Sequence, residues 1–223
     1  MALNLKKLNY KTEWVEYPDI EALYQRLGAP PNEQNPDGGR GPCTLPVIFD
    51  PSTKAVVTDS STIIKYLDTT YPDTPVLFPP GTDAFQKAFS SIIWTSVLPP
   101  LLFIVIGRVC SILNPPSAAY FKRTREAAFG KKLEEIGDER HWEQVERGLE
   151  AIGAYLNANG DGKDMLLMGD RITYSDIYIA AIFRWVKMVV GEESEDWKRL
   201  MYMHNGKWVR FIAQFSDYEF VDV

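Results

Sequence analysis

The chain has 223 residues, a formal net charge of −6, two cysteines and two histidines. Its apolar share of 45% and aromatic share of 13% are enough for a core, which excludes a disordered chain. The acidic balance, with no block of Lys or Arg, excludes nucleic acid as a main partner and gives no membrane-surface patch.

Met1 to Lys7 is too polar for a signal peptide. Residues 1–8 read as the end of a helix. Lys11 to Tyr17 alternates around Trp14 and Val15, which predicts a strand. Ile20 to Leu27 predicts a short helix stopped by Gly28, and Pro30 to Pro42, rich in Pro, Gly and Asn, predicts a loop. Pro46 to Phe49 and Ala55 to Thr58 are rich in β-branched residues. The turn Asp50 to Lys54 lies between them, so they predict a hairpin. Ser60 to Tyr71 is helical in pattern, with Ile63, Ile64, Leu67 and Tyr71 on one face.

Pro72 to Gly81 carries four prolines and a glycine after that helix. This predicts a first domain over 1–72, a linker over 73–81 and a second domain over 82–223. The second domain reads helical throughout, at about 82–113, 117–136, 139–158, 173–190 and 195–214. The apolar run Ser90 to Gly107 is nearly long enough to span a membrane, but Pro99-Pro100 interrupts it, so it reads as a buried, kinked helix. Thr173 and Asp176 have the spacing of a capping box, with Ile172 and Ile177 as a hydrophobic staple.

Chemistry is concentrated in one segment. Leu45-Pro46 opens the first strand of the hairpin, and Asp59-Ser60 opens the next helix. A strand-opening Pro gives up a ladder donor, and if it is cis the residue before it can turn its backbone to a ligand. A helix start offers backbone N–H groups, a hydroxyl and the positive end of a dipole to a carboxylate. The Asp can hold an ammonium group, so a small anionic peptide with an α-amino acid end fits. Asp59 and Ser60 also suit a plain helix cap. Cys43 and Cys110 make no disulfide framework, which suits a reducing compartment, and His141 and His204 lack neighbours at metal-ligand spacing, so no metal site is expected.

Three segments together resemble the glutathione transferase family, and the resemblance covers the whole chain. They are Thr44-Leu45-Pro46-Val47-Ile48, Asp59-Ser60 with Ile63, Tyr66 and Leu67, and Gly169-Asp170 with Thr173 and Asp176. Tyr120 to Glu134 resembles the fungal FuA-type (omega-like) and bacterial β-etherase-related classes within it. The resemblance implies an α/β, thioredoxin-like first domain followed by an all-α bundle. It implies a cytoplasmic homodimer from a wood- or litter-degrading fungus, acting on aromatic electrophiles and polyphenols with glutathione as cosubstrate. It also implies that Leu45, through its backbone, and Asp59 and Ser60 hold glutathione, that Pro46 is cis, and that Arg40 or Gln34 reaches the glycyl carboxylate.

The family order begins with a strand and a helix start that this chain does not show, and the catalytic Ser, Cys or Tyr follows that strand. A truncated gene model is therefore expected, with the catalytic residue upstream of Met1. Trp94, Leu98 and Phe103 either line an aromatic pocket or belong to the core. Arg123, Arg125 and Glu126 either form a buried ion-pair network or line the cleft. Cys43 is either a half-buried thiol or a nucleophile toward glutathione. The functional readings are a transferase, a non-catalytic protein that sequesters aromatic ligands, and a chloride-channel-like relative that inserts into membranes.

Overall fold

Two short β-branched runs joined by a turn leave room for one antiparallel pairing. In the computed structural model, which describes residues 1–32 and 41–221, strand β1 (Val47–Asp50) pairs with β2 (Ala55–Thr58). The register sets Val47 opposite Thr58 and Asp50 opposite Ala55. Asp50 closes the turn by accepting from the Ser52 N–H at 2.9 Å. These strands form the only sheet among the described residues.

Helices α1 (Ala2–Leu5), α2 (Ile20–Leu27) and α3 (Ser60–Thr70) complete the first unit. Helix α2 stops where Gly28 turns left-handed at φ 60°. Helix α3 buries Ile63, Ile64 and Leu67 in a cluster with Leu77 and Tyr174, against which Ile48 and Val57 of the hairpin pack. Tyr174 comes from the helical half of the chain, so the two halves share this core.

The strand expected over Lys11 to Tyr17 is not there. Residues 8–16 carry no helix or strand, and the segment ends in a 3-10 turn at Tyr17–Asp19. A strand needs a ladder partner for its backbone groups, and no described segment supplies one. Side chains anchor the segment instead. The Tyr17 N–H donates to Ser117 Oγ at 2.8 Å, and the Tyr10 hydroxyl donates to the Phe220 carbonyl at 3.2 Å.

The second unit comprises α4 (Asp83–Ser96), α5 (Leu98–Val109), α6 (Pro115–Phe129), α7 (Glu139–Asn157), α8 (Tyr174–Val190) and α9 (Glu195–Ala213). Its core holds Leu101, Val105, Ile106, Leu149, Phe183 and Trp208, all fully buried. The apolar run bends by 47° between α4 and α5, next to Pro99-Pro100 in the first turn of α5. No single described helix is long and apolar enough to cross a membrane; α4 and α5 meet that test only as a bent pair.

Two more predicted helices are divided, besides the 82–113 stretch that becomes α4 and α5. The stretch 117–136 is split where Gly130 ends α6 at φ 66°, and a 3-10 turn follows at Leu133–Glu135. Helix α9 is interrupted by a left-handed turn at His204, Asn205 and Gly206, with φ of 53°, 57° and 69°. The capping box at Thr173 forms as expected, and Asp176 accepts from the Thr173 N–H at 2.8 Å and the Leu167 N–H at 2.7 Å.

Among the described residues, Arg123 and Arg125 form no buried ion-pair network. Arg123 lies over the Tyr120 ring at 5.6 Å and Arg125 over Phe121 at 5.0 Å. Glu126 accepts from the Leu133 N–H at 3.3 Å and so helps set the turn after α6.

Candidate functional site

The hairpin and α3 meet at one edge, and the segments leading into each form the site. Leu45-Pro46 is a cis peptide immediately ahead of β1. Leu45 is exposed, and among the described residues its backbone N–H and C=O make no hydrogen bond. The residue before it is fixed from α2. The Tyr24 hydroxyl donates to the Thr44 carbonyl at 2.6 Å and accepts from the Thr44 N–H at 3.1 Å. Burial pushes the Tyr24 phenol up, so it stays protonated and able to donate.

Between β2 and α3 the chain turns through Asp59, which sits at φ 66° and ψ 127°. A non-glycine residue at positive φ stores strain, and such strain gathers at binding sites. One Asp59 oxygen caps α3, accepting from the Thr62 N–H at 3.0 Å and the Ser61 hydroxyl at 2.6 Å. Burial opposes its ionisation, yet these hydrogen bonds outweigh burial, and the carboxyl lies below its ordinary range.

Ser60 is the first residue of α3, and its backbone N–H has no acceptor among the described residues. Its hydroxyl lies 2.9 Å from that of Tyr174, the first residue of α8. The Ser60 N–H and half-buried hydroxyl, the Asp59 carboxylate and the Leu45 backbone thus share the end of the hairpin where Val47 faces Thr58. This set can take an α-amino acid end and one extended peptide unit.

The remaining predicted site residues are dispersed. Arg40 and Gln34 lie outside the described residues. Trp94 stands out from α4 at 60% exposure. Leu98, at the start of α5, packs against the helical core. Phe103 packs edge-on against Phe129 at 5.5 Å and His141 at 5.1 Å. It lines a cavity of about 240 Å³ with Ile104, Leu133, Gly137 and Trp142, shared with neither Trp94 nor Leu98. Cys43 and Cys110 form no disulfide with each other, and both are half-buried.

Sequence reasoning missed Tyr24 and Tyr174. Tyr174 lies inside the Thr173–Asp176 box, which gave it a place in a helix start but no partner. Tyr24 reads as one more apolar residue on the buried face of α2.

Two family models match the chain: the glutathione S-transferase N-terminal domain over residues 1–70 and the glutathione S-transferase C-terminal domain over residues 84–218. A glutathione S-transferase-like protein, ustS, of Aspergillus flavus is 31% identical, over 93% of this chain and 78% of its own. The crystal structure of glutathione transferase GSTFuA3 from Phanerochaete chrysosporium is 58% identical, with a TM-score of 0.95, covering 100% of this chain and 88% of that one. A Ceriporiopsis subvermispora glutathione S-transferase, CsGST63524, solved in complex with glutathione, is 43% identical, with a TM-score of 0.91, covering 99% of this chain and 88% of that one. The architecture is thus a thioredoxin-like first domain with a small antiparallel sheet and an all-helical second domain.

Proposed function

The chain belongs to the glutathione S-transferase family, and from that premise we propose that it binds glutathione at the Leu45-Pro46 and Asp59-Ser60 site and transfers it to small aromatic electrophiles. One observation carries the reading: the register that sets Val47 opposite Thr58 brings Leu45 and the start of α3 to one end of the hairpin, and among the described residues neither the Leu45 backbone nor the Ser60 N–H has a partner. In this reading the Ser60 N–H and hydroxyl take the γ-glutamyl carboxylate, and the Asp59 carboxylate takes the ammonium group. The Leu45 backbone pairs with the cysteinyl unit. A charge-assisted set of this kind fixes the γ-glutamyl end and the cysteinyl backbone, and so holds the side-chain sulfur of the central residue in place.

The thiolate sulfur would then attack an electrophilic carbon, forming a carbon–sulfur bond as the leaving group departs with its electron pair. We assign no described side chain to the thiol. Trp94, exposed on α4, is the proposed aromatic contact for the acceptor. We place the protein in the cytoplasm as a homodimer.

Calorimetric titration with glutathione tests the binding step. Ser60→Ala is expected to raise Kd about tenfold, which corresponds to roughly 1.4 kcal/mol. A folded wild-type chain that does not bind glutathione overturns the reading. Turnover of a chloronitrobenzene tests the transfer step. Glutathione binding without turnover would replace the transferase by a protein that sequesters aromatic ligands.

A further inference from the structure

We propose that Tyr174 is a positioning residue for the glutathione carboxylate: its phenol hydroxyl donates to Ser60 Oγ and leaves the serine's own proton to point at the ligand. The inference rests on the glutathione reading above and deepens it. The two oxygens are 2.9 Å apart, and either can be the donor by distance alone. Chemistry decides between them. A phenol is a stronger donor and a weaker acceptor than an aliphatic hydroxyl, and Tyr174 Oη has no other acceptor among the described residues. With the opposite polarity, the phenol proton would be left unpaired in a site only 8% exposed. Ser60 is half-buried at the mouth of the site, so its proton can reach an incoming carboxylate.

The phenol is held from three sides. The Tyr174 N–H donates to the Leu77 carbonyl at 2.9 Å. Phe78 stacks on its ring at 4.9 Å, and Tyr178 at 6.0 Å. Burial also keeps the hydroxyl protonated. Such support fixes the direction of a hydrogen bond before the ligand arrives. The chain Tyr174 Oη–H to Ser60 Oγ–H to carboxylate strengthens each link in turn. It also makes α8, in the helical domain, part of a site built on the first domain.

A double-mutant cycle tests this, with glutathione affinity as the readout for wild type, Tyr174→Phe, Ser60→Ala and the double variant. Tyr174→Phe is expected to raise Kd by about three- to tenfold while kcat is retained. The double variant is expected to bind no worse than Ser60→Ala alone. An unchanged Kd in Tyr174→Phe, or effects that multiply, overturns the inference while leaving the glutathione reading intact. Failure of the wild type to bind glutathione overturns both. Where Tyr174→Phe does not fold, nearly isosteric 3-fluorotyrosine at position 174, a stronger donor, is expected to tighten binding by about twofold. Weaker or equal binding by that variant overturns the inference.

Discussion

The Lys6 ammonium lies 2.5 Å from the Asp68 carboxylate and is fully withdrawn from solvent, which fastens α1 to the last turn of α3. Lys6 also donates to Thr74 Oγ1 at 3.0 Å and to the Pro75 carbonyl at 2.9 Å. Asp68 in turn accepts from the Leu77 and Phe78 N–H groups. One ion pair thus ties the first helix, the site-bearing helix and the segment leading into the helical domain. Leu77 passes the constraint on, because its carbonyl holds the Tyr174 N–H.

Breaking that pair leaves a carboxylate with little water around it. Lys6→Met is expected to cost about 3–5 kcal/mol of unfolding free energy. The urea midpoint measures it, and a midpoint equal to wild type would show that the pair does not hold the two helices.

Asp50 supplies an acid-sensitive element under the hairpin. It accepts from the Tyr66 and Tyr71 hydroxyls, each at 2.6 Å. The Tyr66 bond first, then the Tyr71 bond, hold its carboxyl far below the ordinary carboxylate range. A depressed carboxyl contributes stability that is fully present above its unfolded value, near 4, and is lost as pH falls through the folded value. Asp50→Asn is expected to shrink the loss of stability between about pH 6 and about pH 3. Urea midpoints at the two pH values read it; an equally steep acid loss in the variant would place that sensitivity elsewhere.

The hairpin, α3 and the α8 cap were legible because each is specified locally. β-branched runs flank a turn, Asp and Ser head a helix, and Thr173 and Asp176 are three residues apart. The cis Leu45-Pro46 peptide followed from the resemblance alone. What failed depended on distant partners. Lys11 to Tyr17 has a strand's alternation, but alternation cannot supply a neighbouring strand. Gly130 is the αL residue that stops α6, a stop signal that the apolar periodicity on either side of it masks. The Ser60–Tyr174 contact joins residues 114 apart, and spacing in sequence carries no trace of it.

Helix α7 crosses the bend between α4 and α5 at Gly148. A Cβ there would lie 2.6 Å from the Ser96 carbonyl oxygen and 3.1 Å from Val97 Cγ2. The first neighbour is backbone and cannot swing aside, so the helices would have to separate. Gly148→Ala is expected to cost about 1–3 kcal/mol despite its better helix propensity. Thermal unfolding checks this, and a melting temperature at or above wild type would contradict the close crossing.

Tyr24 offers the cleanest separation of scaffold from ligand. Its hydroxyl holds both backbone groups of Thr44, one residue before Leu45, yet nothing places it in contact with glutathione. Removing the hydroxyl takes away two partly buried hydrogen bonds to the Thr44 backbone, so Tyr24→Phe is expected to lower stability by about 1 kcal/mol. It also frees Leu45 to sample orientations that cannot pair with the cysteinyl backbone. Glutathione Kd is therefore expected to rise about threefold, with no change in affinity for a ligand that uses only the γ-glutamyl end, such as glutamate. Equal weakening toward glutamate and glutathione would mean that Tyr24 acts on Asp59 and Ser60 rather than on Leu45.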